Sequence, residues 1–157
     1  MPVFDDIISP ELVWPVEARW PLLRAKALIA RYRSKFITIH YDLDWETRLL
    51  NAQAFPGREG PCVRLYGGLA RHRRVGIEGL AFALAHETGH HLGGEPRHEF
   101  YASISSEERA TEWAVSDGLP ALFDQVTARR YASLGYAQLT AIWSRYLPLR
   151  LDALSYS

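Results

Sequence analysis

The alternation of apolar and polar positions divides the chain into an irregular start, a helix, a few strands and then a run of helices. The first twenty residues carry Pro10 and Pro15 and read as an irregular arm, with Trp14 and Trp20 as expected packing anchors. Pro21 to Arg33 predicts a helix: proline suits a first helical position, and Leu22, Leu23, Ala27, Ile29 and Ala30 recur at helical spacing. Phe36 to Tyr41 alternates, with Ile37, Ile39 and Tyr41 opposite Phe36, Thr38 and His40, which predicts a strand. A short strand is expected over Leu50 to Phe55, then turns at Pro56-Gly57 and Gly60-Pro61. Cys62 to Tyr66 reads as another strand, broken at Gly67-Gly68. Helices are expected over Gly76 to Leu92, Ser106 to Asp117, Pro120 to Tyr131 and Tyr136 to Leu147. This order implies an α+β fold.

A chain of 157 residues and 17.9 kDa suits one domain, here expected to span residues 1–157. Its 48% apolar and 23% charged residues are near the averages for proteins that fold without a staple. Eighteen basic residues balance eighteen acidic ones, which argues against whole-surface attraction to nucleic acid or anionic lipid. The single cysteine, Cys62, excludes an internal disulfide and a Cys-rich zinc site. The longest uncharged run, Tyr131 to Ser144, falls short of the roughly 20 apolar residues that span a bilayer. With no basic or apolar leader at Met1 to Asp6, a cytoplasmic location is expected.

His86-Glu87-Thr88-Gly89-His90 reads H-E-x-x-H. On a helix, residues four apart stand one above the other, so His86 and His90 can hold one metal ion while Glu87 reaches a water on it. Zinc chemistry needs that division: imidazoles hold the ion, the ion acidifies water, and a carboxylate takes the proton. Six His and eleven Glu would produce this spacing by chance only about 0.02 times in such a chain, so the motif counts as a signal. An apolar stripe of Ile77, Leu80, Ala81, Leu84 and Thr88 puts it on a helix, and Gly93-Gly94 ends that helix.

A catalytic zinc site usually takes three protein ligands. A third histidine six residues after His90 is excluded, because Pro96 stands there, and a downstream methionine turn is excluded because Met1 is the only methionine. The remaining route is a glutamate from the next helix. Ser105 and Glu108 are spaced as a capping box, and Glu112 points about 140° from Glu107. Glu107 shares its face with Ala110, Thr111 and Ala114, whose small side chains permit close approach to the motif helix. Glu107 is therefore the expected third ligand, with His98 as the alternative.

The run from His86 to Gly94, followed by Glu107-Glu108-Arg109-Ala110-Thr111-Glu112-Trp113-Ala114, resembles the gluzincin zinc metallopeptidases. It is most similar to bacterial members with H-E-x-G-H-H-x-G-G and then E-x-x-A-D-x-[FW]-A, and Tyr66 to His72 resembles the segment before the motif. The resemblance covers about Asn51 to Ala114. It implies a compact zincin-like fold and hydrolysis of peptide bonds in a peptide or protein substrate. It further implies one Zn2+ per chain on His86, His90 and Glu107, Glu87 as the base, and a sheet edge near Arg64 to Gly68 that binds extended peptide. Thr111 departs from the usual Asp, which orients a ligand histidine.

For the oxyanion of such a reaction, His98, Tyr101 and Tyr66 are the candidate donors, and spacing does not choose among them. Trp113 and Trp143 read as core, His91 as a surface or supporting residue, and Cys62 as an apolar strand position. Arg71-His72-Arg73-Arg74 reads as a solvated basic loop, with no nucleic-acid-binding pattern beside it.

Overall fold

The structure, a computed structural model, describes residues 10–144. A 3-10 turn (Pro10–Leu12) leads to α1 (Arg19–Lys35), followed by β1 (His40–Asp44), β2 (Ala52–Gly57) and β3 (Gly60–Tyr66). The single turn α2 (Gly67–Ala70) precedes α3 (Ile77–Leu92), α4 (Glu107–Trp113), α5 (Leu119–Leu122) and α6 (Gln125–Arg130). Wider π-type turns follow α4 at Ala114–Gly118 and α6 at Tyr131–Gly135, and residues 136–144 are again helical. The architecture is α+β. The rest of the helix expected to reach Leu147, and residues 1–9 of the expected arm, lie outside the described residues.

The three strands order β1-β3-β2, with β1 parallel and β2 antiparallel to β3. The β2–β3 hairpin turns through Arg58-Glu59, with Gly57 facing Gly60. This corrects the expected edge near Arg64 to Gly68, because β3 is paired on both sides. Among the described residues, the edge strand packed beside the motif helix is β2.

Helix α3 lies at the centre of the packing, and Glu78 through His90 are all buried. An apolar stripe was expected, and Ile77 is in fact 39% exposed, while α1, the sheet and the later helices cover α3 on several sides. Its rear is held by hydroxyls. Tyr32 Oη donates to the Ala81 carbonyl at 2.6 Å, and Tyr41 Oη donates to Thr88 Oγ1 at 2.8 Å, which in turn donates to the Leu84 carbonyl. Two side chains therefore fix α1 and β1 against the helix that carries the motif.

Other departures have local causes. The strand expected at Phe36 to Tyr41 begins at His40, because α1 runs to Lys35 and Ile37 sits in a turn, 82% exposed. The helix expected over Pro120 to Tyr131 is split: Phe123 is extended, and the Asp124 side chain accepts from Thr127 N–H to cap α6. Trp14 is half-buried, with Trp20 edge-on to it at 5.6 Å, and Trp20 is more exposed than an anchor should be. Among the described residues, no helix is long and apolar enough to cross a membrane.

The expected basic loop also divides. Arg73 and Arg74 are exposed, whereas Arg71 and His72 are buried. The Arg71 guanidinium donates to the carbonyls of Trp14 (2.8 Å), Trp45 (3.1 Å), Glu46 (3.2 Å) and Thr47 (3.2 Å), tying the first segment to the β1–β2 connection. Arg71→Met keeps the stem but leaves four acceptors without their donor. It should lower unfolding free energy by about 3 kcal/mol, read from urea denaturation.

Candidate metal centre

His86 and His90 project from one face of α3, one turn apart, with ring centroids 4.7 Å apart and ring planes at 88°. Glu107 enters from the first position of α4. That helix is capped by Ser106, whose hydroxyl accepts from Arg109 N–H at 3.1 Å. The cap expected at Ser105 is thus one residue later. Ser105 has another occupation: its hydroxyl donates to the Gly94 carbonyl, and its own carbonyl accepts from His90 Nδ1 at 2.7 Å.

Small residues bring the two helices together, as the sequence suggested. Ala110 and Ala114 are fully buried, and Gly89 lies so near Ala110 that a Cβ would meet its carbonyl oxygen at 2.6 Å. In an ordinary helix interior, Gly→Ala gains up to about 1 kcal/mol. Here the clash is with backbone, so Gly89→Ala should instead lower Tm and weaken metal binding by displacing α4; titration with a metal-sensitive dye checks the second effect.

One ligand atom from each of His86, His90 and Glu107 falls within 4.8 Å of the others, near enough to bind a metal ion. His90 Nε2 lies 2.8 Å from Glu107 Oε2, and His86 Nε2 lies 3.5 Å from Glu107 Oε1. The shorter contact lacks hydrogen-bond alignment: both of its atoms are buried without a hydrogen-bond partner. The reason is in the tautomer. A carbonyl only accepts, so Ser105 places the neutral His90 proton on Nδ1 and leaves a lone pair on Nε2. In that tautomer a lone pair faces a carboxylate oxygen, and a divalent metal fits this donor set.

The electrostatics agree. Burial alone would raise the Glu107 carboxyl, but the imidazoles of His86 and His90 overcome it and bring it down to about 2. Burial would lower His90, but Glu107 and Glu87 outweigh it and raise it. Glu87 is 3% exposed, with Oε2 3.8 Å from His86 Nε2 and Oε1 buried without a hydrogen-bond partner. Burial pushes its carboxyl up to about 6, against the pull of the two histidines.

The remaining candidates separate clearly. His98 Nε2 is 3.9 Å from Glu107 Oε2 and its side chain is 7% exposed, but Phe100 N–H donates to its Nδ1. In the neutral ring this leaves the proton on Nε2, making His98 a donor beside the centre rather than the alternative third ligand. Tyr101 packs on the His98 ring at 5.1 Å, while Tyr66 Oη donates to Gln53 on the sheet. Glu112 is exposed and paired with Arg109, and Glu108 is also exposed. Thr111 Oγ1 lies 3.0 Å from His86 Nδ1. His91 Nε2 donates to the Cys62 carbonyl, joining α3 to β3.

Two features carried no signal in the sequence. One is the β2 edge, whose Ala54 N–H acts on the Glu87 carboxylate. The other is a cavity of about 550 Å³ lined by Phe82, Thr111, Val115, Arg129, Ala132 and Tyr136. Comparison with models of protein families, with curated proteins and with solved structures finds no match to this chain.

Proposed function

We propose that the protein is a zinc-dependent metallopeptidase of zincin-like fold. The observation that carries this reading is the pairing of two features at one place: a convergent His86–His90–Glu107 set, and a buried carboxylate, Glu87, with an oxygen left free. Bound zinc would supply Lewis acidity toward a carbonyl and acidify water. Glu87, one residue from a ligand, would take the proton from the attacking water and deliver it to the leaving amine. The β2 edge supports an extended peptide by strand addition. The cavity gives a substrate side chain an apolar wall, with Arg129 in its lining, and His98 Nε2–H offers a donor to the developing oxyanion. The test is incubation of the zinc-loaded protein with a mixed peptide library, read by mass spectrometry. New termini flanked by apolar residues are expected, and an intact library at full zinc occupancy would overturn the reading.

One observation favours a second reading, a zincin-like binding protein with little catalysis. His86 is oriented by the uncharged Thr111 instead of a carboxylate. Supporting partners of metal-bound histidines are worth about 10–100-fold in affinity or activity. Thr111→Asp should therefore tighten zinc binding by up to about that factor. A competition titration against a chelator checks it, and a parallel rise in peptide cleavage would favour the enzyme.

A further inference from the structure

Helix α1 has two apolar faces. The inner one, Pro21, Ala25, Leu28, Ile29 and Tyr32, is buried in the core. The outer one runs Trp20, Leu23, Ala27 and Ala30, an arc of about 80° at 100° per residue. Trp20 and Leu23 are 52% and 53% exposed, and Ala27 and Ala30 are exposed too. A surface helix normally turns polar residues to solvent along that line. Here the basic residues stand beside the stripe in two rows: Arg19, Lys26 and Arg33 on one flank, Arg24, Arg31 and Lys35 on the other.

The helix holds one third of the chain's eighteen basic residues and no acid, so the rest of the chain carries six more acids than bases. Zero net charge thus conceals a strong separation. The rows are also partly fixed in place. Arg24, Arg31 and Arg33 donate to the carbonyls of Ala70, Leu122 and Tyr41, which holds them along the flanks. Glu78 acts on Arg24 but is paired with Arg130 at 3.0 Å, and Glu17, ahead of the helix, acts on Arg71.

We propose that α1 docks on an anionic phospholipid surface. The helix lies in the plane of the headgroups, Trp20 and Leu23 enter the acyl boundary, and the two basic rows meet the phosphates. The charge rows argue against a second copy of this chain, whose like face would repel. A peptide partner gives no reason for two basic rows flanking an apolar stripe, which is the pattern that an anionic bilayer surface meets. Duplex nucleic acid would engage the rows but would leave the apolar stripe against phosphate. Balanced total charge argues only against whole-surface attraction to anionic lipid, whereas the docking proposed here is confined to one helix face. This proposal stands independently of the metal centre.

The test is cosedimentation of the full chain with phosphatidylcholine vesicles, with and without phosphatidylserine. Salt-sensitive binding to the anionic vesicles alone is expected. Arg19→Gln and Lys26→Gln should each weaken it about fivefold. Leu23→Ser should weaken it with every charge intact. All three positions are exposed, so circular dichroism should report an unchanged fold. No binding at low salt, equal binding to uncharged vesicles, or indifference to Leu23→Ser would overturn the proposal. So would duplex DNA that displaces the vesicles.

Discussion

Replacing Glu87 with Gln is expected to leave zinc content unchanged, cut peptide turnover by about 10²–10⁴-fold, and raise the stability of the metal-free protein. The first two effects follow from position: the carboxylate adjoins the ligands without belonging to their set, and the amide cannot take a proton. The third follows from burial. The Glu87 carboxyl sits near 6 in the folded protein against 4.5 when free, so ionising it in place is costly. A shift of that size corresponds to about 2 kcal/mol. The sign is fixed by proton binding: between pH 4.5 and 6 the folded state holds the proton more tightly than the unfolded one. The penalty is therefore absent below that window and complete above it. Melting curves of metal-free wild type and Glu87→Gln should differ most at neutral pH and converge as pH falls toward 4.5. A variant that turns over normally would remove Glu87 from the chemistry.

Glu107→Ala should abolish stoichiometric zinc binding while leaving the fold in place. Two imidazoles remain, but the anionic member of the set is gone, and the loss should exceed the roughly 10–100-fold that an outer partner of a ligand is worth. The fold should persist because Glu107 is partly exposed at the start of α4 and the Ser106 cap does not involve its side chain. Elemental analysis by mass spectrometry is the measurement. About one zinc per wild-type chain and a large deficit in the variant are expected, with unchanged circular dichroism. Equal zinc in both proteins would mean that the ion is held elsewhere.

The site was legible in the sequence where chemistry depends on side chains at helical spacing. His86, Glu87 and His90 are set by one helix, and Glu107 could be reached because Ala110, Thr111 and Ala114 advertise a close helix contact. The parts that were not legible rest on backbone groups and on pairing between distant segments. Nothing in the residue type of Ser105 says that its carbonyl will fix the His90 tautomer. β3 could not be told from an edge strand, since its neighbours are chosen by tertiary pairing, and alternation within Phe36 to Tyr41 could not reveal that α1 would run on past it. Arg71 looked like its exposed neighbours Arg73 and Arg74 because burial of a guanidinium depends on four carbonyls from other segments. The two-faced character of α1 was present in the letters, but the helix pattern alone does not say which apolar side the core will take.

The ties that seat α1 span long stretches of chain. Tyr32 reaches Ala81, and Arg31 reaches Leu122, 91 residues away. During synthesis the helix therefore emerges well before its partners. At typical elongation rates the Leu122 carbonyl follows roughly 5–20 s later, and most of a helix's stability in a protein comes from tertiary packing. All three candidate metal ligands are made within that interval, before the closing contact can form. A nascent chain thus passes through a stage in which His86, His90 and Glu107 exist but the scaffold that aims them is not fully seated, so any metal uptake would share one window of time with folding.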